Sequence, residues 1–204
     1  MKEKKHSVWF HLFDVVLNIV IILAIVGMIR TFLVSPFQVE GNSMVSTLEH
    51  KQYIIINKLA YYVGNPNRGD VVVFRPPIDH NKHYVKRVIG IPGDKISIRN
   101  GKVYLTIPEG DEVELDEVYL DERNLGRTYQ HPPSSGNTRA ISYEVPEGEY
   151  FLLGDNRQGS LDSRSFGATG ESAFVPDKDI KGRVWFVALP LKKMHAITPP
   201  IYSP

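Results

Sequence analysis

Cysteine is absent from the 204 residues of this chain. Disulfides, a cysteine nucleophile and thiolate metal sites are therefore excluded. The chain also lacks an excess of charge of one sign, because 24 Lys and Arg residues stand against 23 Asp and Glu residues. No overall field would attract a polyanion, so we expect no nucleic acid among the partners. The seven histidines show no ligand spacing, and we expect neither a metal nor a cofactor.

Two common hydrolase motifs are missing as well. The sequence contains no G-x-S-x-G, which argues against an α/β-hydrolase, and no H-E-x-x-H, which argues against a zinc peptidase of that type. Hydrophobic residues make up 42% and charged residues 23% of the chain. This balance is typical of a globular domain and excludes a polytopic membrane protein.

One long apolar run departs from this average. Its densest part covers residues 15–34, and these 20 residues would extend about 30 Å as a helix, enough to cross the hydrocarbon core of a bilayer. Pro36 follows and ends the predicted helix.

Three interpretations of the run compete. A cleaved signal peptide would carry a small-residue cleavage site, which the exit sequence TFLVSP lacks. A buried core helix would need a polar face, but Asn18 is the one polar residue in residues 15–29. An uncleaved anchor fits best, and three lysines before it place the N-terminus in the cytoplasm. We predict a cytoplasmic tail at residues 1–12, an anchor in the bilayer of the cell membrane at 13–35 and an extracytoplasmic domain at 36–204.

Past Pro36 the sequence alternates with the period of two that is typical of strands. The dipeptide Asn100–Gly101 predicts a tight hairpin turn between two of them. The fold class predicted is mainly β, with an antiparallel sheet or barrel-like core behind one transmembrane helix. Predicted strands lie at residues 53–56, 71–74, 84–91, 95–99, 102–105, 149–153 and 182–189.

An acidic stretch separates two groups of these strands. Residues 109–123 contain eight acidic side chains and one basic one. We predict a smaller subdomain inserted at about residues 100–142. The alternative is a solvated acidic loop without a specific role.

Two residues are candidates for covalent catalysis. Ser43 lies in the segment GNSM, eight residues after residue 35, where Gly41 and Asn42 permit a tight backbone and Met44 offers an apolar anchor. In YVKRVIG, side chains alternate, so Lys86 and Arg87 face opposite sides of a strand. A buried lysine has a lowered pKa and, when neutral, can take a proton from a serine hydroxyl.

The pattern leaves plainer readings open for both residues. A serine in a Gly/Asn loop is ordinarily only a turn residue. The alternation does not show which of the two cations is buried, and both could extend to solvent.

A polar segment, GDNRQGSLDSRSFG at residues 154–167, is the third candidate. It can be a long surface loop with Asx turns. It can also be a network that orients a catalytic amine. In that case Asp162 and Arg164 would pair, Ser160 would hydrogen-bond the lysine and Asp155 would cap the turn.

Four segments together resemble the type I (leader) signal peptidases, in the short, single-anchor form of Gram-positive bacteria. They are GNSMVSTL at 41–48, RGDVVVF at 68–74, YVKRVIGIPGD at 84–94 and the polar segment at 154–167. With the anchor in front, the resemblance covers nearly the whole chain. It implies a membrane-bound serine endopeptidase that removes signal peptides from secretory preproteins and cuts after small residues.

The resemblance also implies roles for individual residues. Ser43 would be the nucleophile and Lys86 the general base of a Ser/Lys dyad. The remaining implied residues are site-supporting Ser160, Asp155, Asp162 and Arg164, and Met44 and Tyr84, which we expect at the substrate.

Three features depart from the family pattern. The polar segment reads RQGS at 157–160, where an acidic residue and Asn commonly follow the arginine, and this affects the local turn and not the dyad. Ser46 stands where the family usually has proline, which loosens the backbone after Ser43 without removing a reacting group. Gly41 stands where some members have a serine that donates to the oxyanion, so the second oxyanion donor is left unnamed.

Two other functions remain compatible with the sequence. One is a soluble, self-cleaving repressor-type Ser/Lys protease, and the other is a membrane-anchored binding module or non-catalytic relative.

Overall fold

The computed structural model describes residues 8–129, 140–167, 170–200 and 202. The apolar run forms helix α1 (Val8–Met28), which continues as a π-helical turn (Ile29–Leu33). Within the candidate span Trp9–Leu33, the most apolar 18-residue stretch has a mean hydropathy of 2.8 and is not buried inside the protein. A core helix would be covered by other elements, so that interpretation is wrong. The helix starts ahead of residue 13, and the predicted membrane borders stay a prediction.

Twelve strands and two short helices make up the rest of the described chain, with 3₁₀ turns at Asp177–Asp179 and Leu191–Lys193. The prediction of a mainly β fold is confirmed. The strands are β1 (Val34–Gln38), β2 (Tyr53–Asn57), β3 (Val71–Phe74), β4 (Tyr84–Gly90), β5 (Lys95–Arg99), β6 (Lys102–Thr106), β7 (Glu112–Glu114), β8 (Ile141–Glu144), β9 (Glu149–Leu153), β10 (Val175–Pro176), β11 (Ile180–Leu189) and β12 (His195–Ala196), and the helices are α2 (Ala60–Val63) and α3 (Ser163–Phe166).

The main sheet is antiparallel and has the strand order β1-β2-β11-β3-β4-β9-β10, with β12 added beside β11. Strands β3 and β4 lie near its centre, where Val72 pairs with Lys86 and Val71 pairs with Arg87. All four β3 residues are buried, as the unbroken apolar sequence VVVF predicts for a strand covered on both faces. This central position brings the β4 side chains into the interior.

A second sheet has the order β7-β6-β5-β8. Its β5–β6 hairpin turns at Asn100 and Gly101, whose φ angles of 52° and 78° are the positive values that such a turn requires. The sheet already begins at Lys95, so it includes strand β5, which lies ahead of the predicted insert. Residues 130–139 of that insert lie outside the described residues, and the domain boundary stays a prediction.

Apolar packing joins the two sheets and supports the segment after β1. One buried cluster combines Ile89 and Phe151 of the main sheet with Ile96 and Leu105 of the second. Another places Met44 and its neighbours against β2, β3 and β11. Burial of such side chains stabilises the fold by about 1.5–3 kcal/mol each. The loop that carries Ser43 is therefore anchored on the central strands.

Candidate active site

Strand β4 delivers Lys86 to the interior of the main sheet. The side chain is only 3% exposed. Its Nζ donates to Ser43 Oγ at 2.8 Å and to the Val85 carbonyl oxygen at 2.9 Å. The ammonium position also lies 5.3 Å from the centre of the Tyr84 ring. The two residues singled out as candidates for covalent catalysis are thus in hydrogen-bond contact.

Burial has a direct effect on the lysine amine. Loss of hydration lowers the pKa of Lys86 from 10.5 to about 8, although Asp162 and Asp155 act to raise it. Neither carboxylate is hydrogen-bonded to Nζ, so their attraction does not offset the loss of water. A neutral amine is therefore accessible near pH 8, and such an amine can accept a proton from a hydroxyl.

The loop of residues 39–48 holds Ser43 between two fixed points. On one side, the Met44 side chain is almost fully buried. On the other, Asn156 binds the loop, because its N–H donates to the Ser43 carbonyl at 3.0 Å and its Nδ2 donates to the Asn42 carbonyl at 3.0 Å. Gly41 has a φ of 91°, and its N–H donates to His50 Nδ1 at 3.0 Å. The loop geometry therefore depends on the polar segment 154–167.

Asp162 and Arg164 form a buried ion pair within that segment, as the sequence predicts. Arg164 donates from Nε to Oδ1 at 2.8 Å and from Nη2 to Oδ2 at 2.7 Å. Burial by itself would raise the pKa of Asp162, but Arg164 and the Gly154 N–H hold it below its usual value. Asp162 also caps helix α3. The charged form of Asp162 is thus locked beside the lysine.

Ser160 and Asp155 differ from what the sequence suggests. Ser160 is buried beside Asp162, where its hydroxyl helps to hold the pKa of that carboxyl below its usual value. The predicted Ser160–Lys86 bond is not formed, since the Lys86 amine is directed at Ser43 and at the adjacent Val85 carbonyl.

Asp155 does not serve as a turn cap. Its carboxylate instead receives two bonds from Arg87, at 2.9 Å from Nε and 2.7 Å from Nη2, and one from Thr47 Oγ1. Lys86 and Arg87 are therefore both buried, on opposite faces of β4, and neither extends to solvent. Arg87 is paired with a carboxylate and its guanidinium stays charged, whereas Lys86 is buried without a carboxylate in contact, so the lysine is the candidate base.

A third buried arginine, Arg157, was not singled out from the sequence. Arg157 donates to Glu117 at 3.0 Å and to Thr128 at 2.7 Å, and its Nε donates to the Gly154 carbonyl at 3.0 Å. Glu117 belongs to the acidic stretch, so the stretch is not merely a solvated loop. The sequence did carry a signal that Glu117 is buried. Glu117 lies two residues after the apolar Leu115, and in an extended segment side chains two residues apart face the same side.

Gly154 is the point where the polar segment approaches the serine loop. A Cβ at this position would lie 2.1 Å from Ser160 Oγ and 2.5 Å from the Ser43 carbonyl oxygen. Atoms cannot approach so closely, so only glycine fits the observed packing. The close approach to Ser160 and to the Ser43 carbonyl therefore explains why position 154 is a glycine.

A groove of about 550 Å³ opens above the Ser43–Lys86 pair. Its wall includes Met44 and Tyr84, the two residues predicted at the substrate, together with Phe37 and Leu161. Tyr84 packs edge-on against Phe74, with ring centres 6.3 Å apart. The groove is mixed in polarity and is open along its length.

Residues of the kind that bind metals do not cluster in the described part of the chain. No group of three or more His, Asp or Glu side chains is arranged there to hold an ion. The chemistry described below is built from the side chains of the chain itself.

Comparison with known proteins assigns the family. The family described as "Signal peptidase, peptidase S26" matches residues 12–189. The chain belongs to this family. Signal peptidase I of Bacillus caldolyticus is 39% identical over 174 residues, which cover 84% of this chain and 88% of that one. Signal peptidase I of Bacillus licheniformis is 35% identical over 193 residues, which cover 95% of each chain.

More distant relatives carry the same name. Signal peptidase I of Pseudomonas aeruginosa is 34% identical over 194 residues, covering 81% of this chain and 68% of that one. A crystal structure of a signal peptidase I from Enterococcus faecalis is 28% identical, with a TM-score of 0.44, and covers 59% of this chain and 97% of that one.

Membership in this family confirms the resemblance that the four sequence segments predict. As a member of the S26 family, the protein is a serine endopeptidase. Because the chain also carries the apolar helix α1, it is a membrane-anchored member of the family. The roles of individual residues stay predictions.

Proposed function

We propose that this peptidase removes signal peptides from exported preproteins, with Ser43 as nucleophile and Lys86 as general base. The observation that carries the proposal is the 2.8 Å contact between Lys86 Nζ and Ser43 Oγ. That distance lies within the reach needed for proton transfer. The lowered pKa of Lys86, about 8, gives the amine the protonation state that the reaction requires.

The reaction is an acyl transfer in two halves. Neutral Lys86 accepts the Ser43 proton while Oγ attacks the carbonyl carbon of the scissile bond. The protonated amine then donates to the leaving nitrogen, and an acyl-enzyme remains. Water, deprotonated by the same lysine, attacks the ester and releases the signal peptide from Ser43.

The substrate would bind as an added strand. Strand β4 pairs with β3 along residues 84–87, but its pairing with β9 begins only at Arg87. In the described structure, the β9-side edge of residues 84–86 therefore has no strand partner, and it borders the groove. An extended peptide can use this edge for main-chain hydrogen bonds. Met44 and Tyr84 would contact side chains before the cut, which we expect to be small.

The remaining buried polar residues would hold the dyad in place. Asp162 and Arg164 fix the segment beside Lys86, and Asp155 fixes β4 through Arg87. Ser160 would complete the surroundings of the amine by packing. Each of these is a supporting role, since none of the four is hydrogen-bonded to the Lys86 amine in the described structure.

The proposed topology follows from charge and chain length. Three lysines precede the apolar helix, which favours a cytoplasmic N-terminus and a catalytic domain on the other side of the cell membrane. Strand β1 begins directly after the π-helical turn, so Ser43 would lie close to the surface of a bilayer that the helix spans. A membrane-inserted signal peptide would present its cleavage site at that level.

The test is cleavage of a purified preprotein by the full chain and four variants. Ser43→Ala and Lys86→Ala are expected to remove activity while leaving circular dichroism unchanged. Ser46→Ala, in the same loop, and Lys102→Ala, a half-exposed lysine of the second sheet, are the matched controls and should keep it. Cleavage at the wild-type rate by either dyad variant would overturn the assignment. The wild-type rate should rise about tenfold per pH unit below the lysine pKa and level off above it.

A further inference from the structure

A basic cavity of about 510 Å³ lies next to the end of the apolar helix, on the far side of Phe37 and His83 from the groove. It is outside the proposed active site. Its wall combines Thr31, from the helix end, with Lys58, Lys178 and Lys181 from the catalytic domain. Nothing described so far gives this cavity a role.

The charge of the basic cavity is not balanced by the protein. In the described part of the chain, none of its three lysines forms an ion pair with a carboxylate. Lys181 Nζ donates instead to the Lys178 carbonyl at 2.9 Å. Burial lowers the pKa of Lys181, the nearby Arg75 lowers it further, and Asp179 acts in the opposite direction. Asp177 is the one acidic side chain in the wall.

The position of the cavity is fixed relative to the helix. Lys58 Nζ donates to the carbonyl oxygens of Arg30 at 3.3 Å and Thr31 at 3.1 Å. These carbonyls belong to the last turn of the apolar span, where a helix carries partial negative charge. With α1 across the bilayer as proposed, the cavity would lie at the depth of the headgroups.

The rim of the cavity suits a lipid surface. Helix α2 follows Lys58 and exposes Tyr62 at 69% and Val63 at 83%. An exposed aromatic and an exposed aliphatic side chain beside lysines are the combination found at membrane interfaces. A soluble ligand would not require such an apolar rim.

We propose that the basic cavity binds the headgroup of an anionic phospholipid of the bilayer that holds α1. The phosphate would lie among Lys58, Lys178 and Lys181, and the acyl chains would run past Tyr62 and Val63 alongside the helix. The proposal rests on membrane anchoring and not on the Ser43–Lys86 dyad. Failure of the dyad test leaves it standing, and its own failure leaves the peptidase assignment standing.

The test counts lipids that stay bound to the full chain. Wild type and variants are extracted from vesicles of phosphatidylcholine and phosphatidylglycerol with identical acyl chains and measured by native mass spectrometry. Wild type should retain phosphatidylglycerol in preference to phosphatidylcholine. The double variant Lys178→Gln/Lys181→Gln should lower that preference about 25-fold, since each basic side chain near the surface contributes about fivefold. Lys178 is exposed and Lys181 is partly exposed, and circular dichroism verifies that the variant is folded.

The control carries the same charge change elsewhere. Lys95→Gln/Lys102→Gln alters two half-exposed lysines of the second sheet and should keep the wild-type preference. Equal retention of both lipids by wild type, or an unchanged preference in Lys178→Gln/Lys181→Gln, would overturn the proposal. Displacement of phosphatidylglycerol by millimolar inorganic phosphate would indicate a site for a free anion instead. Loss of cleavage of preproteins with acidic mature regions, with lipid retention unchanged, would indicate a substrate site instead.

Discussion

A Lys86→Met variant tests the buried amine through stability as well as through activity. Burial lowers the pKa of Lys86 from 10.5 to about 8, and one pKa unit corresponds to about 1.4 kcal/mol. The folded state therefore holds this proton less tightly than the unfolded state. Below pH 8 the difference lowers the free energy of unfolding by about 3 kcal/mol. The loss shrinks as the pH rises through this window and is gone above pH 10.5.

Methionine has a similar volume and no charge, so the variant lacks this destabilisation at every pH. It also loses the two hydrogen bonds to Ser43 and Val85, about 1 kcal/mol each. At pH 7 we expect a net gain on the order of 1 kcal/mol in an inactive protein. The loss of these two hydrogen bonds does not change how the difference in unfolding free energy between wild type and variant depends on pH. Between pH 7 and pH 10, wild type should gain about 2–3 kcal/mol relative to the variant.

The assay is urea unfolding of the full chain in mild detergent, followed by tryptophan fluorescence at several pH values. Lys82→Met is the control, because Lys82 is exposed and its pKa is raised by Asp79. The difference in unfolding free energy between this control and wild type should stay constant with pH. A constant difference between wild type and Lys86→Met from pH 7 to 10 would refute the reasoning that the amine is held at a lowered pKa.

Two further substitutions test the surroundings of the dyad. Gly154→Ala should lower cleavage at least about 100-fold, because a Cβ would lie 2.5 Å from the carbonyl oxygen of the predicted nucleophile; full activity would contradict this. Gly27→Ala, where no atom lies within 4 Å, is its control in the same cleavage assay. Glu117→Gln should lower the free energy of unfolding by about 3 kcal/mol, since it leaves the buried Arg157 without a carboxylate. Glu114→Gln, in a half-exposed pair, should change it by less than about 1 kcal/mol in the same urea measurement, and equal effects would argue against the buried pair.

Local sequence features predict most of the strands. Segments such as VVVF before a turn, and KISIR before Asn100–Gly101, carry their own periodicity and turn chemistry, and they form β3 and β5 as expected. The Ser43–Lys86 pairing depended on the resemblance to a family, since 43 residues separate the two in sequence. No periodic signal links positions so far apart.

The burial of Lys86 could not be predicted from β4 alone. Alternation puts Lys86 and Arg87 on opposite faces, but what covers each face comes from other parts of the chain. Asp155 reaches Arg87 across 68 residues, and Arg157 reaches Glu117 across 40. The Ser160 prediction failed for a different reason, because the lysine donates to the carbonyl of the preceding strand residue, Val85, and side-chain alternation does not indicate that bond.

The junction between the helix and β1 has a consequence for where a substrate is cut. The π-helical turn runs straight into β1, and Lys58 ties the final carbonyls of the helix to the catalytic domain. Under the proposed function, the serine cannot slide up or down relative to the bilayer. The height of Ser43 above the bilayer would then be fixed, and the depth at which a signal peptide is inserted would determine which of its bonds reaches Ser43.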